Sequence, residues 1–453
     1  MFAIWGHEKA AEITYYGLHA LQHRGQDGAG IVVNNGKELK LRKDVGLVNE
    51  VFNQINFQQL DGHAAIGNIH YATNNESSHV QPHLFQSQVD SMAITHIGNI
   101  INAESIRGDL EKSGSIFQTK TATELLAHLM KRSGQKLTEH ALMEALQKLV
   151  GAYAFIVLQE DKMLVALDPR GIRPLSIGKL GEAYVISSET CAFDMIGAKY
   201  VREVIPGELM IIDASGLRSM PFTSREQRKL CAMEYVYFSR PDSDLNHVNV
   251  HASRKRMGIE LAKEASVDAD VVIGVPDSSI SAAIGYAEYT GLPYELGLIK
   301  NRYVGRTFIA PSQQLREQGV KMKLSPVRGI VSGKRVIMID DSIIRGTTCK
   351  RIVNMLLEAG ATEVHVRIAS PPATNPCYYG IDMSTKEELM AANHAVHEIC
   401  HLIGATSLAY LSSAGMEKAI VQDITNAQGV CQACFTGQYP VKDERFMQIT
   451  QTT

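Results

Sequence analysis

The run from Val336 to Thr348, VIMIDDSIIRGTT, constrains the fold more than any other stretch of the chain. Its four leading apolar residues read as a buried strand. That strand ends in adjacent carboxylates, Asp340 and Asp341, followed by a turn of small and polar residues. From Cys349 to Gly360 the spacing predicts an amphipathic helix with Ile352, Val353, Leu356 and Leu357 on one face and Gly360 as its stop. A polar loop between the carboxyl end of a strand and the amino end of a helix can wrap a phosphate with backbone N–H groups. Two acids beside it can accept hydrogen bonds from vicinal ribose hydroxyls. Together these features point to a sugar phosphate, against the plainer reading of a strand–turn–helix with two solvated aspartates.

The elements around this run alternate. Strands are expected at Asp270–Ile273, Val336–Ile339 and Val364–Ile368, with a helix at Ser279–Thr290. Such alternation predicts a doubly wound α/β parallel sheet that binds ligands beyond the carboxyl ends of its strands. The first half mixes strands (Gly28–Val33, Ala93–His96, Ala152–Leu158, Leu164–Leu167) with helices at Ala11–Leu21 and Thr123–Lys131. The second of these helices opens on a capping-box pattern, Thr121 with Glu124. The polar stretch Thr223–Lys229 marks the expected boundary between domains at 1–225 and 226–453. Two or three domains suit 453 residues.

Composition narrows the class. The chain is 45% apolar and 21% charged, as in soluble globular proteins. Its net charge of −3 offers nucleic acid no footprint. No apolar run is long enough for a membrane span, and the opening MFAIWGHEK is charged too early for a secretory signal. Seven scattered cysteines do not make a disulfide scaffold, so the expected location is cytoplasmic.

The Val336–Thr348 run resembles the phosphoribosylpyrophosphate (PRPP) signature of type I phosphoribosyltransferases. Two further segments fit the same ligand. Gly274–Ser279 links a strand to a helix and can meet a pyrophosphate or its Mg²⁺. Arg306 to Leu324 carries Arg306, Arg316, Lys321 and Lys323, and reads either as an exposed helix with solvated charges or as a lid that keeps water from the activated sugar. With Met233–Asp242, these segments resemble, in order, the glutamine PRPP amidotransferase family. The resemblance implies an N-terminal Ntn-hydrolase-like αββα sandwich followed by a phosphoribosyltransferase sheet. It implies Ser278, Asp340 and Asp341 near Mg²⁺–PRPP, Ser342 among the PRPP-binding residues, and Arg345, Gly346, Thr347 and Thr348 around the 5′-phosphate. It also implies a [4Fe–4S] cluster on Cys231, Cys377, Cys431 and Cys434, with zinc or redox use as the alternative reading of the Cys431–Cys434 pair. Cys191, Cys349 and Cys400 read as plain structural thiols.

Residues Tyr15–Gly30 resemble the family's glutaminase domain, in which an N-terminal Cys attacks the glutamine amide. This chain opens on Met1, and a thioether has no proton to lose. Three interior positions also depart from the family pattern. His70 replaces the arginine of Arg-Tyr-Ala-Thr, whose fork would grip the substrate carboxylate. Ile97 replaces the asparagine of His-Asn-Gly-Asn, an oxyanion donor worth roughly 10²–10³ in rate. Ala122 replaces the acid before Thr-Glu that would pair with the substrate ammonium. The expectation is a glutaminase fold without glutamine chemistry, attached to a transferase that forms 5-phosphoribosylamine from PRPP and ammonia or another small amine. A non-catalytic PRPP- or nucleotide-sensing subunit is the alternative. Purine nucleotides as regulators and a homo-oligomer, dimer or tetramer, complete the expected partners.

Overall fold

Strand alternation builds the first half. In the strand Phe2–Trp5, Phe2 and Ile4 enter one core, while Met1, Ala3 and Trp5 enter another. The strand Gly151–Leu158 does the same, with Tyr153, Phe155 and Val157 on one side and Ala154, Ile156 and Leu158 on the other. A strand that is apolar on both faces needs a partner layer on each. The computed structural model describes residues 1–53, 57–71, 80–87, 90–224, 226–301, 324–383, 385–422 and 429–441, and it supplies those layers.

Two antiparallel sheets face each other. Among the described residues, one has seven strands in the order Lys199–Glu203, Ser176–Leu180, Ala183–Ser187, Phe2–Trp5, Ala64–His70, Gly28–Asn34, Leu39–Val45. The other has six: Gly216–Pro221, Glu208–Asp213, Lys162–Leu167, Gly151–Leu158, Ser91–Ile100, His83–Gln86. Helix Ala10–Ala20 covers the outer face of the first sheet, and Ala122–Arg132 with Thr138–Lys148 covers the second. The result is the αββα sandwich.

The capping pattern at Thr121 is half realised. Thr121 Oγ1 accepts from Glu124 N, but the buried Glu124 carboxylate turns to the preceding loop and accepts from the backbone N–H groups of Gln118 and Thr119, at 2.7 and 2.6 Å.

The second half holds a parallel sheet in the order Val271–Gly274, Arg335–Asp340, Glu363–Ile368, Ser407–Tyr410. Helices Val250–Glu264 and Ile280–Thr290 pack on one face, and Thr347–Glu358 with Val396–Ile403 on the other. The doubly wound arrangement is present. The helix after the Asp pair begins at Thr347, two residues before the expected start, and Leu357 is 39% exposed rather than buried. Its core face is Cys349, Ile352, Val353 and Leu356. The strands Leu298–Lys300 and Leu324–Pro326 pair antiparallel. Arg306, Arg316, Lys321 and Lys323 lie outside the described residues.

The halves are knitted together. Lys229 N donates to Arg170 O and Cys231 N to Ile172 O, so the start of the second half runs along a turn of the first. Ala152 and Ile172 join the apolar core built by the second half. Among the described residues no helix is long and apolar enough to cross a membrane.

Candidate functional site

The strand Arg335–Asp340 ends with Asp340 and Asp341 in a cavity of about 820 Å³. Both carboxylates are buried, at 8% and 7% exposure. Ser278 donates to Asp341 Oδ2 at 2.5 Å, Ser342 to Asp341 Oδ1 at 2.6 Å, and Ser279 to Asp340 Oδ1 at 3.1 Å. Loss of water, then repulsion from its neighbour, pushes Asp340 well above the usual carboxylate range; burial also raises Asp341. Two buried acids this close favour a shared proton, a bound cation or a ring of hydroxyl donors.

The loop beyond them is held from below. Gly346 caps the helix Thr347–Glu358 at φ +74°, and a Cβ there would lie 2.2 Å from Met390 Sδ. Only glycine fits that turn without strain. Met390 N donates to Ile344 O at 2.8 Å, and Arg345 pairs with Glu388 at 2.7 Å. Ser342, Arg345, Gly346, Thr347 and Thr348 all line the cavity with Ser278. Every PRPP-loop residue singled out in the sequence therefore meets in one place, and the free N–H groups of a helix start open into it.

The same cavity continues to the first half. Met1, His70 and Ile97 line its other end. The Met1 amine is fully buried, donates to Ser188 Oγ at 3.2 Å, and is lowered to about 4 by burial and then by Arg24. Ile97 packs against the core between the two sheets. Ala122 stands apart. It is not on this wall but starts the helix Ala122–Arg132, packed against the outer core of the six-stranded sheet. His96, between Thr95 and Ile97, is buried with its Nε2 unpartnered; burial and then Arg173 lower it to about 3, so its ring is neutral. The loop carrying Cys377 closes the side of the cavity: Asn99 Nδ2 donates to Tyr378 O at 3.0 Å, and Gly380 abuts Gly98 so closely that a Cβ would lie 2.9 Å from its carbonyl carbon.

Sequence reading missed the charged network that joins the halves. Arg24 donates to Glu189 and, through both terminal nitrogens, to Glu234 at 3.0 and 2.9 Å. Arg173 adds a further contact to Glu234 at 3.1 Å, and His23 reaches Glu189 at 2.6 Å. Burial works to raise both carboxyls, but the arginines hold them below the usual range. Glu189 also accepts from Ser243 Oγ and Arg240 N of the second half.

The four cysteines converge beside this network. Cys231 and Cys431 form a parallel bridge: Ala232 N donates to Cys431 O and Cys431 N to Leu230 O. Cys434 O accepts from Thr374 and Asn375, which follow into Cys377. Burial, followed by the other three cysteines, raises Cys434, so the four thiols act on one another. Tyr379 N donates to Cys377 Sγ at 3.4 Å. Among the described residues no three His, Cys, Asp or Glu side chains close on a single metal ion. An iron–sulfur cube holds its thiolates farther apart than one ion does, and four converging thiols suit it. Cys191 and Cys349 are buried and Cys400 half-buried, and none forms a disulfide.

Residues 69–195 match the family described as "Glutamine amidotransferase domain". The chain is 58% identical over 446 residues to the amidophosphoribosyltransferase of Bacillus subtilis (strain 168), covering 98% of this chain and 94% of that protein. It is 50% identical over 445 residues to that of Staphylococcus aureus (strain Mu50 / ATCC 700699), covering 97% and 90%. Among solved structures it is similar to glutamine PRPP amidotransferase from B. subtilis complexed with ADP and GMP, with a TM-score of 0.93, 59% identity and 97% of each chain covered.

Proposed function

The chain belongs to the amidophosphoribosyltransferase family, transferases of purine biosynthesis, and we propose that this member aminates C1 of PRPP with ammonia or another small amine and does not draw nitrogen from glutamine. The observation that carries the transferase half is the buried Asp340–Asp341 pair beside the Gly346-capped helix start, in one cavity. The ribose 2′- and 3′-hydroxyls donate to the Asp pair. The backbone N–H groups from Arg345 to Thr348 hold the 5′-phosphate at the helix start. Ser278, Asp340 and Asp341 would hold Mg²⁺ together with PRPP, and the ion would supply positive charge to the pyrophosphate. The amine lone pair then attacks C1, the C1–O bond to pyrophosphate breaks through an oxocarbenium-like state, and the new ammonium loses a proton.

The interior of the other end supports the glutamine-free reading. His70 stands where the family motif has a carboxylate-gripping arginine, and an imidazole cannot reproduce that fork. Ile97 presents a hydrocarbon where the motif has an oxyanion donor, and it is half-buried, packed against the core between the sheets. Ala122 lies off this cavity wall, so it adds less than those two. The half before the boundary stretch at 223–229 then serves as a folded wall for the transferase half, and the two form the 1–225 and 226–453 domains. Cys231, Cys377, Cys431 and Cys434 would hold a [4Fe–4S] cluster, which would supply a covalent tie between the 429–441 segment and the core. Purine nucleotides, as found in the B. subtilis relative, regulate the enzyme.

Pyrophosphate release from Mg²⁺–PRPP, measured with ammonium salts across pH, tests the proposal. Release that depends on ammonia and rises with pH, as free NH₃ does, is the expected result. PRPP binding with no turnover under any amine would instead make the chain a sensor.

A further inference from the structure

Helix Val396–Ile403 carries the run His397-Glu398-Ile399-Cys400-His401, two histidines four apart with a glutamate beside the first. On a helix that spacing puts both imidazoles on one face, with Cβ atoms about 5–6 Å apart. Two ring nitrogens so placed can take one metal ion. The helix also fixes which way that face looks. Ile399 and Ile403 are buried in the core that holds Ile352, Val353 and Leu356 of helix Thr347–Glu358. His397 and His401 each lie two residues before one of them, about 200° around the axis, and both are exposed. Neither imidazole makes a hydrogen bond, ion pair or ring contact among the described residues.

The same run matches the His-Glu-x-x-His pattern of zinc hydrolases, in which the glutamate is the general base. The structure removes the hydrolytic part. Glu398 accepts from Ala395 N at 2.7 Å and so caps its own helix. The Cys400 thiol is turned to Ala405 O, at 3.3 Å. Among the described residues no third His, Cys, Asp or Glu closes on the pair. The pair also lies off the cavity that holds Asp340 and Asp341. A two-imidazole chelate open to water is what remains, with neither the three protein ligands nor the enclosed pocket of a catalytic zinc.

We infer that His397 and His401 form a surface site for one divalent transition-metal ion of the class that prefers imidazole, Zn²⁺, Ni²⁺ or Cu²⁺, with water filling the remaining positions. Mg²⁺, which seeks oxygen ligands, does not compete for it. The ion bridges successive turns of the helix. It favours the folded chain, because only the helix holds the two rings together. Its binding therefore stabilises the helix packed behind Thr347–Glu358, the element that opens on the phosphate loop.

The test is a calorimetric titration of the untagged full chain, purified without oxygen, with Ni²⁺ as the probe. Wild type is compared with His397→Gln, His401→Gln and the double variant, all at exposed positions and each checked for fold by circular dichroism. Ni²⁺ taken up by the cysteines is common to every protein, so the difference belongs to the helix. Wild type is expected to bind one further Ni²⁺ that the double variant does not. Each single variant should bind that ion at least tenfold more weakly, about 1.4 kcal/mol. Ni²⁺ should also raise the Tm of the wild type more than that of the double variant. A register variant, His401→Gln with Leu402→His, keeps the number of histidines and places the new one at a position already 39% exposed, but takes the pair off one face. It should bind no better than His401→Gln. Equal Ni²⁺ stoichiometry and affinity in wild type and double variant overturn the site. Wild-type affinity in the register variant overturns the shared-face chelate.

Discussion

At the scale of single residues, Asp340 and Asp341 carry the most testable chemistry. On the proposed binding mode, Asp341→Ala removes an acceptor for a ribose hydroxyl and one charge from the proposed cation site. Turnover or PRPP affinity should fall at least tenfold, about 1.4 kcal/mol, as measured by pyrophosphate release and calorimetry. The pair also gives a pH signature. Both acids are raised in the folded protein, so the fold binds more protons than the unfolded chain between the ordinary aspartate value of 3.8 and the raised values. Across that window the stability contributed by the pair falls as pH rises. Mg²⁺ with PRPP replaces those protons, so the rise in Tm on adding both should be larger at pH 7 than at pH 5. An Asp340→Asn, Asp341→Asn double variant should lose that difference. A ligand-induced rise in Tm that is independent of pH in the wild type would contradict the cation site.

At the scale of elements, the strand–loop–helix from Arg335 to Glu358 was legible because each of its signals is local. The apolar run, the paired acids and the turn sit next to one another in the chain. The helix starts two residues before the expected position because Thr347 and Thr348 read as turn, while the cap is Gly346 at positive φ. Leu357 fits the apolar period yet sits at the margin of the packed stripe, which the spacing of apolar residues does not resolve. The capping pattern at Thr121 formed only in part because Gln118 and Thr119, upstream of it, supply closer donors to Glu124. Gly346→Ala tests the cap. Forcing a Cβ into the left-handed region should cost about 1–2 kcal/mol, read as a lower midpoint in urea. PRPP affinity should fall with it, because the helix start moves away from the phosphate.

At the scale of the whole molecule, the joint between halves had no local signal. Arg24 and its partners Glu189 and Glu234 are 165 and 210 residues apart in sequence, and each reads as an ordinary charge where it stands. Glu234→Gln leaves Arg24 and Arg173 short of a buried counter-charge and should cost about 3–5 kcal/mol by denaturant titration. Glu189 and Glu234 are held below the usual range in the fold. Their contribution is therefore present above the ordinary glutamate value of 4.5 and is lost as pH falls through the lowered values. Glu234→Gln should accordingly flatten the loss of stability on acidification. The cavity crosses the same joint, running from His70 and Ile97 to Asp340 and Thr348. The origin of the transferred nitrogen therefore asks the question of the whole chain at once. The most direct measurement supplies Mg²⁺–PRPP with either amide-labelled glutamine or labelled ammonium and follows the label into the aminated sugar phosphate by mass spectrometry. Label from ammonium alone, with no glutamate formed above the protein-free control, is the expected result. Label from the glutamine amide would contradict the account.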